Sequence, residues 1–108
     1  MDEAAEFARL KELHEAAQLM REGGNPAVFL PAFGFQGDRQ DQRMDLLLYP
    51  QNHAGYATRL FFERALRTGN NWGPHRVCNR DWFAPSRQGV RADQPWLAIL
   101  MAHLRAVA

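Results

Sequence analysis

Met44-Asp-Leu-Leu-Leu-Tyr49, closed by Pro50, is the stretch on which the fold turns. A short apolar run, ended by a residue without a backbone N–H, is most simply a buried strand. Upstream, Ala27-Val-Phe-Leu-Pro-Ala-Phe-Gly-Phe35 has the β-branched and aromatic content of another strand, and Pro31 confines it to an edge or a break. The polar segment Gln36 to Arg43 between them reads as a turn. Downstream, Gln51 to Gly55 reads as a loop. Tyr56 to Leu66, with Leu60, Phe61 and Phe62, reads as a third strand, although its periodicity also fits a helix.

Helices flank this centre. From residue 2 to 22, Phe7, Leu10, Leu13, Ala17 and Met20 recur at steps of three and four, which predicts one amphipathic helix packed on the sheet. Asp2 suits its N-cap, and Gly23-Gly24 with Pro26 supplies a stop. Pro95 opens a closing helix, where its missing N–H costs nothing, and Trp96, Leu97, Leu100, Met101 and Leu104 make its apolar face. The order is helix, three or more strands, long loop, helix. It predicts an α+β fold with an antiparallel meander, in one domain over residues 1–108.

Bulk composition narrows the function classes. The formal charge is +1 and the arginines are dispersed, so no basic field points to nucleic acid. No apolar stretch is long enough for a membrane span, and the acidic, amphipathic start is unlike a signal peptide. The single cysteine cannot form an internal disulfide, so a cytoplasmic location is expected. Lys11 is the single lysine.

That cysteine, Cys78, lies in Thr68-Gly-Asn-Asn-Trp-Gly-Pro-His-Arg-Val-Cys-Asn-Arg-Asp-Trp-Phe-Ala-Pro-Ser86, which reads as part of a long loop extending to Gln94. A lone cysteine is most often a small buried apolar residue. Here His75, Arg76 and Arg80 predict an electropositive setting that favours the nucleophilic thiolate. One cysteine and four scattered histidines (His14, His53, His75, His103) do not make a zinc site, so no metal and no cofactor is expected. His14 and His103 read as surface or boundary residues of the helices. Gly69 and Gly73 do not lead into a helix, which excludes a phosphate-cradling loop. A protease-like set of Cys78, His75 or His53, and Asp81 is disfavoured, because a histidine three residues away on a loop rarely fixes that geometry. Trp72, Trp82 and Trp96 read as residues pinning the loop to the core.

The order of these features resembles the ubiquitin-conjugating enzymes, especially the compact bacterial forms of antiphage ubiquitin-like conjugation operons. Leu46-Leu-Leu-Tyr-Pro50, Gly55-Tyr56 and Arg59-Leu-Phe-Phe62 are similar to the family's strand end and following aromatic segment. Val77-Cys78, followed by Pro95-Trp96-Leu-Ala-Ile-Leu100 and Leu104, is similar to its cysteine loop and next helix. The resemblance implies a conjugating-enzyme-like fold truncated after that helix, without the last family helices. It implies Cys78 as nucleophile, accepting a ubiquitin-like protein from an activating enzyme as a thioester and passing it to an amine on a protein target. The family's His-Pro-Asn tripeptide is absent. Asn70 lies eight residues before Cys78, at that asparagine's spacing, which assigns it an oxyanion or loop role, with Asn71 as competitor and His75 as either base or loop residue. The alternative is a catalytically inactive binding module of the same fold, or a small interaction subunit.

Overall fold

The computed structural model describes residues 2–108. It is an α+β fold of two helices and one six-stranded sheet. Helix α1 spans Glu3–Leu13. Strands β1 (Gln18–Glu22), β2 (Asn25–Gly37), β3 (Gln40–Tyr49), β4 (Arg59–Phe62), β5 (Gly73–Val77) and β6 (Arg80–Ala84) follow, and helix α2 (Trp96–Arg105) closes the chain. The sheet order is β1-β2-β3-β4-β6-β5, and every neighbouring pair is antiparallel.

The Leu46–Tyr49 run is a strand buried on both faces. Leu46 and Leu48 join Val28, Leu30, Leu60 and Phe62 in the core beneath the helices. Leu47 and Tyr49 join Ala27, Phe61 and Trp82 on the second face. The expected break at Pro31 is a β-bulge between Leu30 and Phe33, with Ala32 at a φ of 47°. The bulge has a packing consequence. It reverses the alternation of β2, so Phe33 and Phe35 face the same core as Val28 and Leu30. Side chains satisfy the interrupted ladder: the Ala32 N–H donates to Asp45 Oδ1 (2.8 Å), and Arg43 Nη1 donates to the Ala32 carbonyl (2.8 Å).

Several expectations require correction. The first helix does not run from 2 to 22. It begins as expected at the Asp2 cap but ends at Leu13, and Gln18–Glu22 is the edge strand β1. Gly23 and Gly24, at φ 57° and 84°, form the two-residue turn of a hairpin rather than a helix stop. Ala17 and Met20 kept the helical spacing by coincidence: Ala17 belongs to the helix-side core and Met20 to the second face, while Leu13 is half exposed. The polar segment Gln36 to Arg43 is mostly strand, its turn limited to Asp38-Arg39, and the strand expected over Tyr56 to Leu66 is limited to Arg59–Phe62. The segment expected as a long loop, Thr68 to Gln94, contains a third hairpin, β5–β6.

Two buried polar devices hold the helices. Pro95 at the N-cap of α2 offers no side-chain acceptor, and Glu6 of α1 supplies one, its Oε1 accepting the Trp96 N–H at 2.8 Å. His103, expected at the surface or the boundary of the core, is only 4% exposed. Thr58 donates its hydroxyl to the Val90 carbonyl (2.8 Å) and lies 2.9 Å from His103 Nε2. With the one hydroxyl proton committed, the neutral ring carries its proton on Nε2. Burial, followed by the charges of Arg87 and Arg59, lowers the His103 pKa to about 4.

Two predictions follow from these contacts. Glu6→Ala leaves a buried N–H without an acceptor and should cost about 1–3 kcal/mol in denaturant unfolding. An unchanged midpoint would show that water caps α2 instead. His103 binds its proton less tightly folded than unfolded, so stability is complete above the unfolded-state value near 6.5 and falls with pH down to about 4. The loss should approach about 3 kcal/mol. His103→Gln should flatten that part of the stability–pH curve, and a curve unchanged by the substitution would assign the acid sensitivity elsewhere.

Candidate functional site

Cys78 and Asn79 occupy the two-residue turn joining β5 to β6, at φ 51° and 59°. Positive φ at both positions matches the strand twist of a hairpin but favours Gly or Asn, and the Cys at the first position departs from that pattern, which hid the turn in the sequence. Cys78 is half-buried and unbridged. The turn reaches across the second face to the opposite edge of the sheet. The Cys78 N–H donates to Glu22 Oε1 (2.9 Å), and Cys78 Sγ lies 3.8 Å from the Arg21 carbonyl of β1. Edge strands β1 and β5, at opposite ends of the strand order, are thereby drawn together, and the sheet curls over its second face. Beside the thiol is a cleft of about 130 Å³ lined by Met20, Phe29, Leu47, Arg80 and Trp82.

The electropositive setting expected for the thiol is not found. Arg76 pairs with Asp81 (3.0 Å) and the Asn79 carbonyl (3.1 Å). Arg80 pairs with Asp45 (2.9 Å) and stacks on Trp82, its guanidinium carbon 4.5 Å from the ring centroid. Burial, and then the Glu22 carboxylate, push the Cys78 thiol up from its ordinary value. Residue proximity in sequence did not predict where the cations point: their partners are acidic residues of the same hairpin or of β3.

Asn70 is not part of this site. The hairpin register runs from Gly73↔Ala84 to Val77↔Arg80, so its length, about 13 Å at ~3.3 Å per residue, separates Asn70 from the Cys78 turn. At the far end, the Asn70 carbonyl accepts the Ser86 N–H (2.8 Å). Asn71, at φ 54°, lies at the same end. Trp82 and Trp96 are buried, and Trp82 Nε1 donates to the Val77 carbonyl (3.1 Å), bracing the hairpin that carries Cys78.

His75 lies in a second cluster on the same face, with His53 and Arg59. The turn His53–Tyr56 folds over β4, with His53 and Tyr56 exchanging backbone hydrogen bonds. The His53 ring stands edge-on to Tyr49, Phe61 and His75, at centroid distances of 5.6, 5.2 and 5.5 Å. Arg59 is 4% exposed and stacks on Tyr56 at 4.1 Å. Its Nη2 donates to the Pro85 carbonyl (3.3 Å) and faces His75 Nε2 (3.4 Å). Burial and the Arg59 charge lower the pKa of both histidines, while Glu22 opposes this at His53. Glu22 and Arg59 carried no sequence signal: one was assigned to a helix face, the other to an ordinary strand.

Among the described residues, no group of three or more His, Cys, Asp or Glu side chains is placed to hold a metal, and no helix is long and apolar enough to cross a membrane. Comparison with known proteins finds no matching family model, no similar curated protein and no similar solved structure.

The role of Glu22 is testable through the thiol itself. Glu22→Gln keeps an acceptor for the Cys78 N–H and removes the charge. The pH profile of iodoacetamide alkylation should move to lower pH while burial still keeps it above that of a free thiol. A profile that does not move would exclude the carboxylate as a cause.

Proposed function

We propose that this chain is a compact bacterial ubiquitin-conjugating-like transferase of antiphage defence, cytoplasmic, and a variant of the conjugating-enzyme fold in which a β-hairpin replaces the long cysteine loop. One observation carries the reading: the single thiol of the chain sits half-exposed on the tip of a braced hairpin, at the rim of a cleft. The helix–meander–cysteine–helix order supports it.

In this reading Cys78 loses its proton and attacks the thioester joining an activating enzyme to a ubiquitin-like protein. A carbon–sulfur bond forms to Cys78, and the activating enzyme's thiolate leaves. An amine of the protein target then attacks the Cys78 thioester, giving up a proton as the amide forms, and the Cys78 thiolate is released. No metal or cofactor takes part. The raised thiol pKa has a cost and a return. Less thiolate is present at neutral pH, but a thiolate of higher pKa is the stronger nucleophile. A thiol titrating above its ordinary value implies that loading accelerates by nearly tenfold per pH unit through the neutral range.

The same thiol chemistry favours a second reading, a conjugating-enzyme-like binding module without catalysis. A thiol beside a carboxylate, with neither asparagine near it, is what such a module would retain. One experiment separates the two. With the activating enzyme, the ubiquitin-like protein and ATP, the chain should form an adduct cleaved by reductant. Cys78→Ala should abolish it, and Cys78→Ser should form an oxyester that resists reductant. Asn70→Ala should leave both loading and discharge unchanged, since it lies at the other end of the hairpin. Absence of the adduct in the wild-type protein would decide for the binding module.

A further inference from the structure

We propose that Arg59, His53 and His75 form a binding site for an oxyanion, the carboxylate or phosphate group of a ligand, on the second face of the sheet. Two independent observations meet there. Arg59 is the buried Lys or Arg side chain among the described residues, and none of their ion pairs includes it. A guanidinium removed from water is normally matched by a carboxylate or phosphate, whose geometry its planar fork fits. Its partners here are neutral: the Pro85 carbonyl, His75 Nε2 and the face of Tyr56. Beside it, His53 Nδ1 is the one buried side-chain nitrogen or oxygen among the described residues that lacks a hydrogen-bond partner. Buried polar atoms in folded proteins are almost always paired, so the unpaired atom and the unpaired charge mark the same unfilled requirement.

An oxyanion meets both needs. It takes charge-assisted hydrogen bonds from the guanidinium and a hydrogen bond from His53 Nδ1 when that nitrogen is protonated. His75 accepts from Arg59 at Nε2, which leaves its own proton on Nδ1. His53 and His75 are only partly buried while Arg59 is almost wholly so, and the ligand therefore approaches along the histidine rings. The frame is rigid on the other side, where the Tyr56 hydroxyl donates to Ser86 Oγ (3.0 Å) and holds the stacked ring in place. Glu22 is the acidic group whose field reaches His53, and it is already engaged by the Cys78 N–H. The site does not depend on the thioester reading of Cys78.

The test is a histidine-ring NMR titration with sodium phosphate and, separately, sodium acetate, each at ionic strength held constant with chloride. The expected result is a saturable shift of the His53 and His75 resonances with at least one of the two anions, and none at His103. Acetate alone would identify a carboxylate site, and phosphate alone a phosphate site. Arg59→Gln should weaken binding by about tenfold or more, the effect of losing hydrogen bonds from a charged donor. If that variant does not fold, His75→Phe, which keeps an aromatic ring on the edge strand, carries the same expectation. No saturable shift with either anion, a shift reproduced by chloride, or undiminished affinity in the folded variant would overturn the proposal.

Discussion

Everything in this fold leans on a strand that has no solvent side. Leu46, Leu47, Leu48 and Tyr49 are all buried, alternately toward the helices and away from them. Burying one leucine side chain contributes about 1.5–3 kcal/mol, so this short run supplies much of the driving force on both faces. A strand apolar on both sides must be central, with covering on each. The helices cover one side. The other is covered by the sheet itself, which curls until the Cys78 turn touches β1, and by the His53–Tyr56 turn.

This explains why some elements were legible in the sequence and others were not. The β3 strand, the Asp2 cap and the Pro95 helix start each depend on local chemistry, and the sequence displays that chemistry directly. The Pro31 break was also visible, but its purpose was not. Only the register shows that an extra residue turns Phe33 and Phe35 onto the helix side. The first helix was overextended because a period of three or four cannot distinguish one helical face from a helix followed by a strand whose residues enter two different cores. The β5–β6 hairpin was hidden because its turn residues are Cys-Asn, and its strands contain Gly73 and Pro74, residues more typical of loops.

The candidate site was legible only as a residue type. Cys78 stood out because it is the sole cysteine, and its half-buried position on a turn accords with display. Its electrostatics were misjudged because sequence neighbours in a hairpin alternate between faces. Arg76 and Arg80 thus find Asp81 and Asp45, while Glu22, 56 residues away in sequence, meets the Cys78 backbone. A site assembled by joining two sheet edges takes its chemistry from tertiary contacts that no local pattern contains.

The two faces of the sheet also divide the polar groups by purpose. On the helix side, Glu6 and the Thr58–His103 pair have neutral or backbone partners that satisfy them within the protein, and they fix the helices in place. On the second face, Arg59 and His53 retain unmet charge and hydrogen-bonding capacity, and Cys78 carries a thiol that both burial and a carboxylate make harder to ionise. Groups kept in such states lower stability relative to apolar replacements of the same shape. A fold whose other side completes its polar pairs has the chemistry to do so here as well. The unpartnered groups, the Arg59 charge and His53 Nδ1, therefore lie on one face, while the polar groups of the helix side hold the structure together.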